Sequence, residues 1–301
     1  MEQLKQLLTA AGIAYKENEP LAAHCTFKIG GPARLFVQPV DHAQLCRTVA
    51  LCKAQSARYY LLGNGSNILF ADEGYNGVVL DISSMQDTVE VHGTQLTAGA
   101  GVRLSALCKT ALEHSLTGLE FAWGIPGSVG GAVYMNAGAY GGELKDRLVW
   151  GEYLNEDGQV QRLFTEQLGL SYRHSCFMEQ PFLHGCILRA AFALEQGDRT
   201  AIAQEMERII TQRREKQPLE YPSAGSTFKR PQGAYASQLI DQCGLRGLTV
   251  GGAQVSKKHA GFVVNIGGAT CADVLGLVEQ VKDCVKEKTG FVLEMEVRQL
   301  P

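Results

Sequence analysis

A chain of 301 residues has room for two or three domains, and its 45% apolar and 20% charged residues are the proportions of a globular protein with a buried core. A net charge of −3 argues against a nucleic-acid-binding protein, and no run approaches the roughly 18 uninterrupted apolar residues of a membrane span. Nine cysteines, an odd number without a Cys-x-x-Cys pair, argue against a disulfide framework or zinc site and for free thiols in a reducing compartment.

MEQLKQLLTAAG has an acid at position 2 and a short amphipathic run, so it reads as a helix closing at Gly12, not as a secretion signal. Asp41 is placed to cap a helix running to about Ser56, with Leu45, Val49 and Cys52 on one face. Short strands follow at Tyr59–Leu62 and 77–82, then a hairpin over 88–101 and a helix over 103–115. Residues 148–164 alternate around Asp157-Gly158 and predict a second hairpin.

Asp198 is placed to cap a long helix whose apolar face carries Ile202, Met206, Ile209 and Ile210. Its basic end and Pro218 stop it. A helix at 234–243, a strand at 262–266 and a helix at 270–289 come next. Thr270 with Asp273 forms a capping box for the last helix, and Gly290 ends it. FVLEMEVRQL (291–300) predicts a final strand. The order gives an α+β chain in three parts, 1–83, 84–197 and 198–301, with the C-terminal strand a candidate to return to the first part.

Glycine is the compositional outlier, at 34 residues. In LLGNGSNILF (61–70) two glycines follow a strand, as in a phosphate cradle. Ile68 occupies the third-glycine position of the dinucleotide fingerprint, and no Gly-Lys-Ser/Thr follows. GIPGSVGGAVYMNAGAYGGE (124–143) holds seven glycines and reads as backbone-rich surface able to line an anion nest. Two such loops beside strand-rich sequence favour a dinucleotide outside the doubly wound fold, and so a flavin.

Three further stretches carry chemistry. In SYRHSCF (171–177), Arg173 is either a solvated residue or a guanidinium fork for a carboxylate or phosphate, while His174 reads as structural. In YPSAGSTFKRP (221–231), Ser226 follows Gly225 in a loop and reads as a turn serine or a proton donor, with Lys229 and Arg230 adding positive charge. The Gly-x-Ser-x-Gly elbow of a hydrolase nucleophile is absent. In LEMEVR (293–298), Glu294 and Glu296 share one face of a strand while Leu293, Met295 and Val297 face the core. Either acid is solvated or serves in proton transfer.

Taken in order, GNGSNIL, the 124–143 segment, SYRHSCF, AGSTFKRP, GGAQVSKKHAGFVVN and LEMEVR resemble the UDP-N-acetylenolpyruvoylglucosamine reductase family from about Thr26 to Arg298. The resemblance implies an α+β, FAD-binding fold of the vanillyl-alcohol-oxidase type in two subdomains, plus a C-terminal α+β substrate-binding subdomain. It implies non-covalent FAD held by Gly63, Asn64, Gly65, Ser66 and Asn67, and by Gly124, Ile125, Pro126, Gly127, Ser128, Gly130, Gly131, Asn136 and Gly138. It implies NADPH as co-substrate and a UDP-sugar enolpyruvyl ether as substrate, reduced to UDP-N-acetylmuramate for peptidoglycan. Arg173 matches the cation that meets charge developing on the substrate, Ser226 the proton donor and Glu296 the third catalytic position, with Glu294 a rival. Tyr134 and Lys229 match positions near the substrate pyrophosphate. Composition itself points to a cytoplasmic protein without nucleic-acid or membrane partners, and the oligomeric state is left undetermined with a monomer favoured.

The chain departs from the family pattern at Arg230 and Gly261, where asparagine is common, and it resembles the shorter branch without a tyrosine-bearing lid loop. Two other readings stay open: another FAD-dependent oxidoreductase of this fold acting on an alcohol or sugar, and a non-catalytic protein that kept the nucleotide cradle.

Overall fold

The computed structural model describes residues 1–85, 88–183 and 185–300. The chain forms two compact units, each assembled from separated stretches. Unit 1 takes Met1–Lys16, Leu35–Asn64 and Gly77–Gln212; unit 2 takes Glu17–Arg34, Gly65–Asn76 and Arg213–Pro301.

In unit 1 the helix Glu2–Ala10 ends before Gly12, which takes φ +67°. The helix His42–Ala54 begins where the Asp41 carboxylate accepts from Gln44 N–H at 2.8 Å, and it buries Leu45, Thr48, Val49 and Cys52. Tyr59–Leu62 runs parallel to 78–81, with Tyr59 opposite Val78 and Leu62 opposite Asp81. The larger sheet is antiparallel and five-stranded, in the order Val160–Phe164, Leu148–Leu154, Cys186–Ala193, Gln95–Gly99, Val89–His92. Its central strand, Cys186–Ala193, is buried on both faces, so its sequence CILRAAFA is nearly continuous in apolar residues. The edge strand Val160–Phe164 buries only Leu163.

Unit 2 is built on an antiparallel sheet in the order Ser223–Ser226, Phe262–Asn265, Ala253–Val255, Thr249–Val250. The helix Cys271–Thr289 presents Cys271, Val274, Val278, Val281 and Val285 as one buried stripe of three- and four-residue steps. Its first three N–H groups are all satisfied. Asp72 accepts from Cys271 at 2.7 Å and from Ala272 at 3.0 Å, and Thr270 accepts from Asp273 at 3.0 Å. Gly290 ends the helix at φ +77°. Arg298–Leu300 lies parallel to Ile68–Phe70, with Arg298 opposite Ile68.

Residues 17–34 and 65–76 fall in unit 2, where the Asp72 cap and the pairing of Ile68–Phe70 with Arg298–Leu300 join them to the C-terminal stretch. Three expectations need correcting. Of the expected final strand only Arg298–Leu300 is ladder-bonded, while 291–297 is joined through the single bridge of Met295 to Phe228. Ser226 lies not in a loop but at the end of the strand Ser223–Ser226. The 124–143 segment is not merely surface: it contains the helix Val129–Tyr134, which buries Val129, Gly130, Ala132 and Val133.

Candidate active site

Unit 1 brings the two glycine-rich segments together. A Cβ on Gly63 would stand 2.3 Å from Ser128 Oγ, so a larger residue would force that hydroxyl to move, and Asn64 Nδ2 donates to the Pro126 carbonyl at 3.3 Å. Ser128 and Gly130 form the floor beneath. Ser128 is 1% exposed and its Oγ accepts from Gly131 N–H at 3.4 Å; Val129 and Gly130 donate to the Val102 and Ala100 carbonyls at 2.8 and 2.9 Å. The stretch around Ala100 thus underlies the cradle, a role that sequence reading missed although Gly99 and Gly101 flank it. Gly124, at φ +91°, and Ile125, Pro126, Gly127 and Gly131 stay accessible.

In unit 2, the backbone N–H groups of Gly65, Ser66 and Asn67 donate to nothing among the described residues. Successive open amides beside a glycine at φ +59° (Gly65) are the chemistry of an anion nest, and the residues present fit the pyrophosphate of FAD. Gly65 has no substitute: a Cβ there would meet the His24 carbonyl oxygen at 2.3 Å.

Arg173 sits in a four-residue turn closed twice, by Ser171 N–H to the His174 carbonyl at 3.2 Å and by His174 N–H to the Ser171 carbonyl at 3.1 Å. Its φ of +57° is one that L-residues other than Asn and Asp avoid, and such outliers persist where surrounding structure enforces them. Its guanidinium donates to the Gly138 carbonyl at 3.2 Å and lies 5.0 Å from the Tyr172 ring centroid. Ser175, fully buried, donates to the Tyr134 carbonyl at 2.7 Å, and His174 bridges the Gly169 carbonyl and Glu179, a structural task. Glu143 beside this turn is held below the usual carboxylate range, first by its hydrogen bond with Lys145, then by Asn136 and the charge of Arg173.

Unit 2 brings together Ser226, Lys229, Glu294 and Glu296. Ser223 pairs with Val264 and Ser226 with Phe262, so three steps on one strand match two on its neighbour, and Gly225 at φ +81° absorbs the extra residue. In a regular strand Ala224 and Ser226 would share a face. The bulge leaves Ala224 buried and turns Ser226 out to the exposed side. Thr227, 1% exposed, fixes this strand end: it donates N–H to Gly261 O at 2.8 Å and accepts Val263 N–H on Oγ1 at 2.9 Å. Its carbonyl accepts Glu296 N–H at 2.8 Å.

Two residues from the N-terminal half help to hold unit 2's constellation. Thr26 donates its hydroxyl to the Ser223 carbonyl at 2.6 Å and its N–H to the Gly65 carbonyl at 3.0 Å. Asn67 donates Nδ2 to the Glu296 carbonyl at 3.4 Å and accepts Arg298 N–H at 3.0 Å. Neither bond had a local signal in the sequence. The departures at 230 and 261 also have structural counterparts. Arg230 stacks over Tyr235 at 4.4 Å, and a Cβ on Gly261 would press His259 Cε1 at 3.1 Å. His259 Nδ1 accepts the Gly261 N–H at 3.1 Å, which puts the ring proton on Nε2, and burial lowers its pKa.

Residues 33–163 match the model of an FAD binding domain, which makes the chain a flavoprotein of the α+β, FAD-binding class expected from its sequence. Residues 217–300 match the C-terminal domain of UDP-N-acetylenolpyruvoylglucosamine reductase. The chain is 44% identical to the UDP-N-acetylenolpyruvoylglucosamine reductase of Caldanaerobacter subterraneus subsp. tengcongensis, over 99% of this chain and 97% of the relative. It is 46% identical to that of Limosilactobacillus fermentum, over 98% of each. A crystal structure of the Thermus caldophilus enzyme superposes with a TM-score of 0.80 at 36% identity, covering 96% of this chain and 99% of that one. The chain therefore belongs to the UDP-N-acetylenolpyruvoylglucosamine reductase family, and is an FAD-dependent oxidoreductase.

Proposed function

We propose that this protein reduces UDP-N-acetylenolpyruvoylglucosamine to UDP-N-acetylmuramate at the expense of NADPH, as a cytoplasmic monomer supplying a peptidoglycan precursor. Near end-to-end similarity to family members supports the reaction. The structural observation that carries the residue roles is Arg173 held at φ +57° in a doubly closed turn. Strain of this kind is kept where a side chain must be aimed.

FAD, when bound along Gly63–Asn67 and 124–131, supplies the relay of hydride from NADPH to the enolpyruvyl C3. Hydride gain at C3 drives negative charge onto C2 and the adjoining carboxylate. The Arg173 guanidinium, permanently charged and already oriented by the Gly138 carbonyl, meets that charge. Ser226 Oγ, turned outward by the bulge at Gly225, delivers the proton to C2. Glu296 serves as the third catalytic group. Lys229, and Tyr134 at the end of the helix Val129–Tyr134, serve the substrate pyrophosphate.

Anaerobic stopped-flow separates the two half-reactions. NADPH is expected to bleach the flavin and the enolpyruvyl sugar nucleotide to restore its colour. Ser226→Ala should leave the bleaching intact and stall the restoration, and normal restoration would remove Ser226 as donor.

A further inference from the structure

Asn136 was expected to touch the cofactor, yet its side chain is 0% exposed and every hydrogen-bonding group of its amide is spent inside unit 1. Nδ2 donates to Glu143 Oε2 at 3.0 Å and to the Ser171 carbonyl at 2.9 Å, while Oδ1 accepts Lys145 N–H at 3.0 Å. The Ser171 carbonyl is the group that closes the Arg173 turn by accepting His174 N–H. Asn136 therefore occupies the second lone pair of the turn's closing carbonyl. Two residues further on, Gly138 offers its own carbonyl to the Arg173 guanidinium. Asn136 also takes φ +41°, a backbone region that asparagine tolerates far better than most side chains.

We infer that Asn136 is a positioning residue for Arg173 and not a ligand of the cofactor. Its amide and the neighbouring Gly138 carbonyl form one clamp, fixing respectively the base and the tip of the arginine. Ser175, bonded to the Tyr134 carbonyl, clamps the other flank of the same turn. Glu143 is part of the device, because an ionised carboxylate accepting from Asn136 keeps the amide's donors aimed. The assignment rests on Arg173 having the role given above, and it deepens that role: the residue strained at φ +57° is held there by an asparagine that never meets the substrate.

The test uses the FAD-loaded enzyme and the variants Asn136→Ala, Asn136→Asp, Ser175→Ala, Arg173→Ala and the double variant Asn136→Ala/Arg173→Ala. The Asn136→Asp change keeps the acceptor for Lys145 but sets an oxygen against the Ser171 carbonyl and Glu143. The expected result is reoxidation by the enolpyruvyl sugar nucleotide slowed about 10- to 100-fold, bleaching by NADPH unchanged, and a double variant no slower than Arg173→Ala. Hydrogen exchange at the His174 amide should quicken about tenfold or more in both Asn136 variants and in Ser175→Ala. Bleaching or FAD affinity falling while reoxidation holds would make Asn136 a cofactor residue and overturn the inference, as would a double variant losing both single factors in full. If Asn136→Ala does not fold, the conservative Ser175→Ala decides through the same rates. If the wild-type flavin is not reoxidised by the sugar nucleotide, the proposed function falls. The exchange arm at His174 still decides the clamp.

Discussion

Lys229 and Glu294 are joined twice: the Lys229 amide donates to the Glu294 carbonyl at 2.8 Å, and its ammonium pairs with the Glu294 carboxylate. Two residues on, Glu296 N–H is bonded to the Thr227 carbonyl, one residue beyond Ser226. The two acids that sequence periodicity could not separate are thus distinguished by their neighbours. Glu294 is committed to an exposed ion pair, and Glu296 follows the serine strand. Glu294→Gln should leave reoxidation at saturating substrate within about threefold of wild type, because it removes no proton-transferring group and leaves Lys229 its charge for the pyrophosphate. Glu296→Gln should slow reoxidation by about 100-fold or more, the range of a lost acid–base group. Stopped-flow traces of the two variants showing the reverse order would move the catalytic role to Glu294.

Gly225 and Gly65 both have positive φ, but a methyl group meets different surroundings at each. Nothing stands within 4 Å of a Cβ on Gly225, so Gly225→Ala carries only backbone strain, about 1 to 2 kcal/mol in urea unfolding. Its larger effect should be on reoxidation, since the bulge aims Ser226. Gly65→Ala drives a methyl into the His24 carbonyl oxygen and toward Cys25 Cα at 2.8 Å, both backbone atoms. That variant should emerge from gel filtration without flavin. A yellow, fully loaded Gly65→Ala protein would contradict the close approach.

The helix Cys271–Thr289 relies on Asp72 for its first two amides. Asp72→Ala should cost about 1 to 2 kcal/mol, the usual loss for an N-cap, read as a lower urea midpoint at unchanged slope. Asp72→Asn retains one acceptor and should recover part of that loss. An unchanged midpoint in Asp72→Ala would mean that Thr270 alone caps the helix.

His259 gives the stability of unit 2 a pH dependence of defined sign. Burial lowers its pKa below the ordinary 6.5, so the unfolded chain binds a proton first as pH falls. The contribution is full above pH 6.5 and is lost on acidification toward the lower folded value. Protonation at Nδ1 also deprives Gly261 N–H of its acceptor, and the Gly261 carbonyl is bonded to Thr227. Stability against urea measured from pH 7.5 to pH 5 should fall more steeply in wild type than in His259→Gln. Parallel curves would show that His259 is not the group responsible.

What the sequence made legible follows from the range of the interactions. Asp41, the Thr270/Asp273 box and Gly290 act within one helical turn, so their residue types announced them, and Asp157-Gly158 did the same for its hairpin. Ile68 in place of a third glycine argued against the dinucleotide fingerprint, but the short strand Ile68–Phe70 that it opens was not foreseen. The candidate site residues were proposed from ordered motifs, whereas the bonds that hold them had no such signal. Thr26 reaches Ser223, and Asp72 caps a helix some 200 positions later, pairings with no trace in local composition. Asn136 was hidden differently: in a segment dominated by glycine, a buried amide looked like more accessible backbone. The bulge at Gly225 was invisible because one extra residue alters the facing of a strand without altering its content.

The parallel pairing of Arg298–Leu300 with Ile68–Phe70 has a consequence for how the chain is made. A ribosome delivers residues in order, and unit 1 has its whole sequence once Gln212 has emerged. Ile68, Leu69 and Phe70, buried in the finished protein, pair among the described residues only with Arg298–Leu300, which is made some 230 residues later. Throughout synthesis of the intervening stretch they form an apolar ribbon with open backbone groups, the kind of surface that invites aggregation. Yield in the cell should accordingly depend on holdase chaperones, and pausing the ribosome late in the message should harm folding more than pausing it early.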